Sequence, residues 1–388
     1  MRKTAARLVI TGLALSLSLT ACSSGGHGGG PTFSPIPSFQ GDGAGPAVPE
    51  QPAQPSLSGS APSAPASSSS GGKATDQAVV ATKLHAPVGL TIMPDNTALV
   101  GERTTGRIVR VQPVAGQPVQ TVRTLAGLDT SGDGGLLDLA ISPTYSDDNL
   151  IFAYVTTPTD NRVIAFTLTG PVTPVVTGIP RGTTGNTGRI AFGADGFLYV
   201  GTGDAGNPAN STDPHSLAGK VLRVTDIGAP APGNPGGSRV FSSGYRQVDA
   251  LCADPKQPWM YEAEADTATL PDPVSEVTPT GPATLARTPD TSRAPGGCAV
   301  AAGVLYVTSR DGQALLGAPL NATGTKPVLG SWTPYLRQEY GRLRTVVAAP
   351  DGALWLTTTN RDGSGRPIPA DERVIRLQPP AGTAVSPA

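Results

Sequence analysis

Short runs of alternating apolar and polar positions fill the chain from residue 75 to residue 380, and one pattern returns six times. A β-rich run meets a Pro/Asp/Gly turn and then enters a second run rich in aromatic and branched side chains. Val88 to Met93 closes on Pro94-Asp95 and continues as Ala98-Leu99-Val100-Gly101. Leu136 to Pro143 leads to Leu150-Ile151-Phe152-Ala153-Tyr154-Val155, and Gly188 to Gly193 turns at Ala194-Asp195-Gly196 into Phe197-Leu198-Tyr199-Val200. Val248 to Pro255 leads to Trp259-Met260-Tyr261, and Gly297 to Ala302 turns at Gly303 into Val304-Leu305-Tyr306-Val307. Leu343 to Pro350 turns at Asp351-Gly352 into Ala353-Leu354-Trp355-Leu356. Further short runs follow, such as Arg107 to Val111, Lys220 to Val224 and Arg373 to Leu377. Copies recur roughly every 50 residues, the length of a four-stranded blade. Strands this short cannot each bury a face alone, but sheets arranged radially pack on their neighbours. The pattern predicts an all-β six-bladed β-propeller with four-stranded blades over residues 75–380. A β-sandwich would leave the six copies unexplained. A strand from residues 76–84 is expected to complete the last blade and close the ring.

The first 22 residues read differently. Arg2, Lys3 and Arg7 precede an apolar stretch, Leu8 to Leu19, that is short for a permanent span of a ~30 Å hydrocarbon layer. Leu19-Thr20-Ala21-Cys22 resembles a bacterial lipobox, which implies cleavage before Cys22, its lipidation, and a membrane anchor on the extracytoplasmic side. An ordinary secretory signal is the alternative. Residues 23–74 are dominated by Ser, Gly, Pro and Ala, too poor in apolar surface to offset the entropy of ordering. They are expected to be a disordered tether of roughly 40 Å root-mean-square span. Residues 381–388 are expected to be a disordered tail.

A net charge of −1 with 15% charged residues provides no basic footprint, which excludes nucleic acid as an expected partner. The chain is expected to be a monomer. With Cys22 taken by lipid, Cys252 and Cys298 remain in an oxidising compartment, as a disulfide or as two buried thiols. Gly201-Thr202-Gly203-Asp204-Ala205-Gly206 fits a dinucleotide fingerprint, but Asn207-Pro208-Ala209-Asn210 cannot open the helix that a pyrophosphate needs. Asp129 to Gly134 lacks the oxygen ladder of a calcium loop. The three histidines, His27, His85 and His215, form no zinc pair, and no hydrolase nucleophile motif occurs. Arg189, Arg246, Arg342 and Arg344 are more informative, because each falls at or just before the first strand of a repeat. In a propeller those strand starts converge on one channel mouth. Such guanidinium groups would form an anion-binding funnel, or else ordinary inter-blade salt bridges.

Several segments in order resemble one family. Asp133-Gly134-Gly135-Leu136-Leu137-Asp138-Leu139-Ala140 is similar to E-G-G-L-L-G-L-A. Gly188 to Gly206 resembles G-R-L-A-F-G-P-D-G-x-L-Y-V-G-T-G-D-A-G, and Ser216 to Arg223 resembles S-L-L-G-K-I-L-R. Gly341-Arg342-Leu343-Arg344 with Pro350-Asp351-Gly352 is similar to G-R-x-R-D…P-D-G. These are motifs of the glucose/sorbosone dehydrogenase family, the soluble quinoprotein aldose dehydrogenases. The resemblance implies a six-bladed propeller using pyrroloquinoline quinone (PQQ) and calcium, with a histidine base and arginines that hold the quinone carboxylates. It carries over cofactor-binding roles to Arg246, Gln247, Arg310, Arg342, Arg344 and Asp133.

Two parts of that chemistry do not carry over. The family's H-x-G-G-R reads Gly185-Asn186-Thr187-Gly188-Arg189, so Gly185 stands at the histidine position, and loss of a general base typically costs about 10²–10⁴-fold in rate. The calcium segment E-H-G-P-x-G-x-D-E has no counterpart in Glu262 to Thr267. The expectation is a degenerate propeller that binds a small anionic or sugar ligand, or an envelope protein, without redox catalysis. The alternative is a PQQ-dependent aldose or sorbosone dehydrogenase whose base has moved to Asp133, Asp204 or His215.

Overall fold

The computed structural model describes residues 76–265, 272–321 and 326–379. The expected signal peptide, Cys22, the tether and the tail lie outside these described residues. Within them six antiparallel sheets stand in a ring, five of four strands and one of five. The inner strands are Pro87–Ile92, Leu136–Ile141, Gly188–Phe192, Val248–Ala253, Pro295–Ala301 and Leu343–Ala348, opening blades one to six. This is the six-bladed propeller the repeats predict.

Side chains alternate along each strand, so every sheet presents one apolar face to each neighbour. Six buried clusters result, one per interface. Leu99 and Ile108 of blade one meet Leu136 and Ile151 of blade two, for example. Tyr261 and Ala263 of blade four meet Val300 and Leu305 of blade five. Close approach of backbones sets some residue types. A Cβ on Gly188 would fall 2.1 Å from Tyr154 Cδ1, so blade three seats on blade two only with glycine there.

Blade six takes its outer strand from the start of the domain. Val79–Ala81 pairs with Val374–Leu377, matching Val79 with Ile375 and Ala81 with Val374. Tyr340 donates its hydroxyl to Asp76 beside this seam, at 3.0 Å. Blade five departs from the regular plan. Its long third strand, Ala314–Asn321, pairs with two short pieces, Val328–Leu329 and Thr333–Tyr335, separated by residues 330–332.

Cys252 and Cys298 are bonded, linking the inner strands of blades four and five across 46 residues with a Cα–Cα distance of 5.6 Å. In the chain-entropy view a loop of this size stabilises by about 4 kcal/mol. Reduction by a phosphine should therefore lower the denaturation free energy by about 2–4 kcal/mol. Chemical denaturation with and without reductant, with the linkage read by mass spectrometry, checks this.

Candidate functional site

The starts of the inner strands gather at one mouth of the channel, and backbone hydrogen bonds place each side chain there. Glu264 Oε1 accepts from the amides of Arg246 at 2.6 Å and Gln247 at 2.8 Å, fixing the entry to blade four. A bridge between Gly203 and Gln247 ties that entry to blade three. Buried Lys220 donates to the carbonyls of Asn210, Ser211 and Ala218, which holds the loop after Gly203 in place. Asp133 Oδ2 accepts from the amide of Gly185 at 2.7 Å, and its Oδ1 from Asn186 Nδ2. Asp133 thus shapes the loop at the expected base position.

The arginines are not equivalent. Arg246 gives its Nε to Asp204 at 2.6 Å, leaving a side chain 53% exposed at the mouth. Arg342 is clamped between Asp311 at 2.7 Å and Asp362 at 3.0 Å. Arg310 donates to the Ala294 carbonyl at 3.2 Å and lies 3.7 Å from Asp249. Arg189 crosses the channel to carbonyls of blades four and five. Salt-bridging thus accounts for Arg246 and Arg342, and Arg310 is held more loosely.

Arg344 is the exception. Its guanidinium sits in the channel with no hydrogen-bond or ion-pair partner among the described residues. Burial pushes its pKa well down, and the charges of Arg310, Arg189 and Arg103 add to that while Asp249 opposes it. A buried cation among cations is costly unless an anion joins it. The arrangement suits a carboxylate, held by Arg344 with Arg310 beside it.

Gly185 has φ +74°, in the left-handed region. A Cβ there would lie 2.6 Å from the Gly206 amide nitrogen and 2.9 Å from Asp204 Oδ1. Backbone and a carboxylate fill the space through which a side chain would have to leave. Nor do the alternative bases stand ready. Asp204 is ion-paired and also accepts from Gly206, Asp133 is occupied by Gly185 and Asn186, and His215 is exposed in the loop above blade three.

Sequence reasoning missed four groups here: Arg103, Asp138, Asp249 and Glu262. Asp138 carried a signal, since it stands where the resembled motif has glycine. Burial raises its pKa to about 6 against the opposing charge of Arg189. Glu262 is buried between blades three and four with neither carboxyl oxygen hydrogen-bonded. Of the segment expected to bind calcium in the family, Asp266 and Thr267 lie outside the described residues. Among the described residues, no three His, Cys, Asp or Glu groups converge at metal-binding separation.

A six-bladed propeller with a cationic mouth is the class this fold and site define. The model of the Glucose / Sorbosone dehydrogenase family matches residues 84–269. The chain is 35% identical to a PQQ-bound aldose sugar dehydrogenase from Streptomyces coelicolor, over 77% of this chain and 96% of that one, with TM-score 0.72. It is 33% identical to a Thermus thermophilus oxidoreductase described as a glucose dehydrogenase, over 77% and 98%, with TM-score 0.70. The chain belongs to the glucose/sorbosone dehydrogenase family. It is also 29% identical over 222 residues to quinoprotein glucose dehydrogenase B of Acinetobacter calcoaceticus, matching 46% of each chain and so about half that relative's length.

Glu262 generates a pH test. Burial, reinforced by the charge of Glu264, holds its pKa well above 4.5. An unfolded chain ionises this group from about pH 4.5 upward while the folded one keeps its proton, so its contribution to stability falls as pH rises through that range. Glu262→Gln should stabilise the protein by about 1–2 kcal/mol at pH 7, with the gain vanishing below about pH 4. Denaturation curves of both proteins across pH 3–8 measure it.

Proposed function

We propose that this chain is an extracytoplasmic lipoprotein, anchored through Cys22, whose propeller binds a small carboxylate-bearing ligand and does not oxidise it. The observation that carries this reading is Gly185: its left-handed backbone leaves no room for a base at the position where the family pattern has histidine. The unpartnered Arg344 supports binding, because its charge is offset when an anion occupies the mouth.

PQQ fits the mouth in part. Arg344, Arg310 and the exposed fork of Arg246 would hold its carboxylates. When bound, PQQ supplies an acceptor for hydride. The described residues supply orientation and charge there, while Asp133 and Asp204 are engaged by backbone amides, Asn186 and Arg246 rather than free to take a substrate hydroxyl proton. The second reading, an aldose dehydrogenase with a displaced base, is favoured by the 35% identity to a PQQ-bound relative.

Calorimetric titration with PQQ, with and without calcium, followed by dye-linked oxidation of glucose, separates the two. Saturable binding without dye reduction is expected, weakened at least tenfold in Arg344→Gln. Turnover would overturn the binding-only reading. Gly185→His should lower the melting temperature and bring no turnover, with a loss of about 1–3 kcal/mol from the strained backbone.

A further inference from the structure

Below the arginine mouth the channel changes character at a crossbar of two side chains. Arg189 reaches across from blade three, its Nε donating to the Asp249 carbonyl at 2.8 Å and its Nη2 to the Gly296 carbonyl. Asp138 of blade two faces it, with Oδ1 3.8 Å from Arg189 Nη1. The amides of Leu139 at 2.9 Å and Ile190 at 3.0 Å hold the Asp138 carboxyl in place. Four blades thus meet at one level of the channel.

Beyond that level the later halves of the inner strands enclose a cavity of about 310 Å³. Leu139, Phe192, Leu251, Val300 and Val346 are among its apolar lining, with Thr91 and Thr345 also on the wall and the Cys252–Cys298 disulfide on one side. Solvent reaches it, since Ile141, Ala191 and Ala348 are only half-buried at its far end. It is therefore an open apolar chamber with one charged end.

We propose that this chamber binds a small linear amphiphile: an alkyl chain along the apolar wall with a neutral hydroxyl at Arg189 and Asp138. The 3.8 Å gap between Arg189 Nη1 and Asp138 Oδ1 leaves the two without a direct hydrogen bond. A hydroxyl both accepts and donates, so it satisfies the two together. A carboxylate head would face the Asp138 carboxylate, and an ammonium head would face Arg189. At roughly 30 Å³ per water-sized group, the chamber holds about ten such groups. That size corresponds to a chain of eight to ten heavy atoms. The inference is independent of the ligand at the mouth, which lies on the other side of the crossbar.

The test is calorimetric titration of the whole protein with n-alkanols from butanol to dodecanol, alongside octanoate. Affinity should rise about fourfold per methylene and level off near ten heavy atoms. Octanol should bind at least tenfold more tightly than octanoate at pH 7.5. Ala191→Trp, which fills the chamber from its open end, should abolish octanol binding while retaining a cooperative melt. If that variant melts early, Ala348→Phe serves the same purpose. Asp138→Gly should keep the chain-length dependence and lose the preference for alcohol over carboxylate. Absence of saturable octanol binding by the folded wild type overturns the proposal, as does unchanged binding in a folded chamber-filled variant. Equal affinity for octanol and octanoate in the wild type overturns the hydroxyl assignment.

Discussion

Everything in this molecule depends on the ladder that joins Val79–Ala81 to Val374–Leu377, two segments almost a whole domain apart in sequence. A blade has two apolar faces and needs a neighbour on both. Without the seam, blade six loses its outer strand and blade one loses the cluster in which Val80 and Ala81 pack with Val100, Val109 and Trp355. The mouth is equally a product of closure. Arg344 belongs to blade six, Arg189 to blade three and Arg103 follows the second strand of blade one, so their fields superpose only when the ring is complete.

Within that ring, the electrostatics sort the arginines into two uses. Asp204 neutralises Arg246, and Asp311 and Asp362 neutralise Arg342; in a half-exposed setting such pairs contribute little stability and mainly fix position. Asp138 and carbonyls engage Arg189 and turn it into a strut across the channel. Pairing removes Arg342 and Arg189 from the set available to an outside anion and leaves Arg246 only its exposed fork. What remains beside that fork is Arg344, with Arg310 only loosely held by Asp249.

The architecture was legible in the sequence because its cause is periodic: six similar runs, each with a turn at a fixed place, admit few arrangements. The closing strand was also expected, from residues 76–84 ahead of the first repeat, and Val79–Ala81 takes that place. The state of each arginine was not. Whether Arg342 is clamped depends on Asp311 and Asp362, which lie in other loops and carry no motif of their own. Glu262 was read only as a poor match to a calcium segment, and its isolation between blades needs the packing of Ser275 and Tyr245 around it to be seen. Gly185 shows the limit most clearly. The sequence displays a missing imidazole, but only the backbone displays that Gly206 and Asp204 have taken its space.

That distinction decides how the surviving motif should be weighed. Arg189, Arg246 and Arg342 each have a structural task, so their presence is explained whether or not anything binds. Lys220, Asp133 and Glu264 likewise hold the mouth loops through backbone groups, and none of them needs a ligand to do so. The base position serves the frame through its backbone alone, Gly185 donating to Asp133 and accepting from Ala205, so the frame needs no side chain there. Arg344 has no such task. An unpartnered guanidinium among three others destabilises the folded ring, and replacing it with an apolar or amide side chain would relieve that cost. An anion in the channel mouth, as proposed above, would offset that cost, and so Arg344 rather than the shared motifs carries the argument for binding.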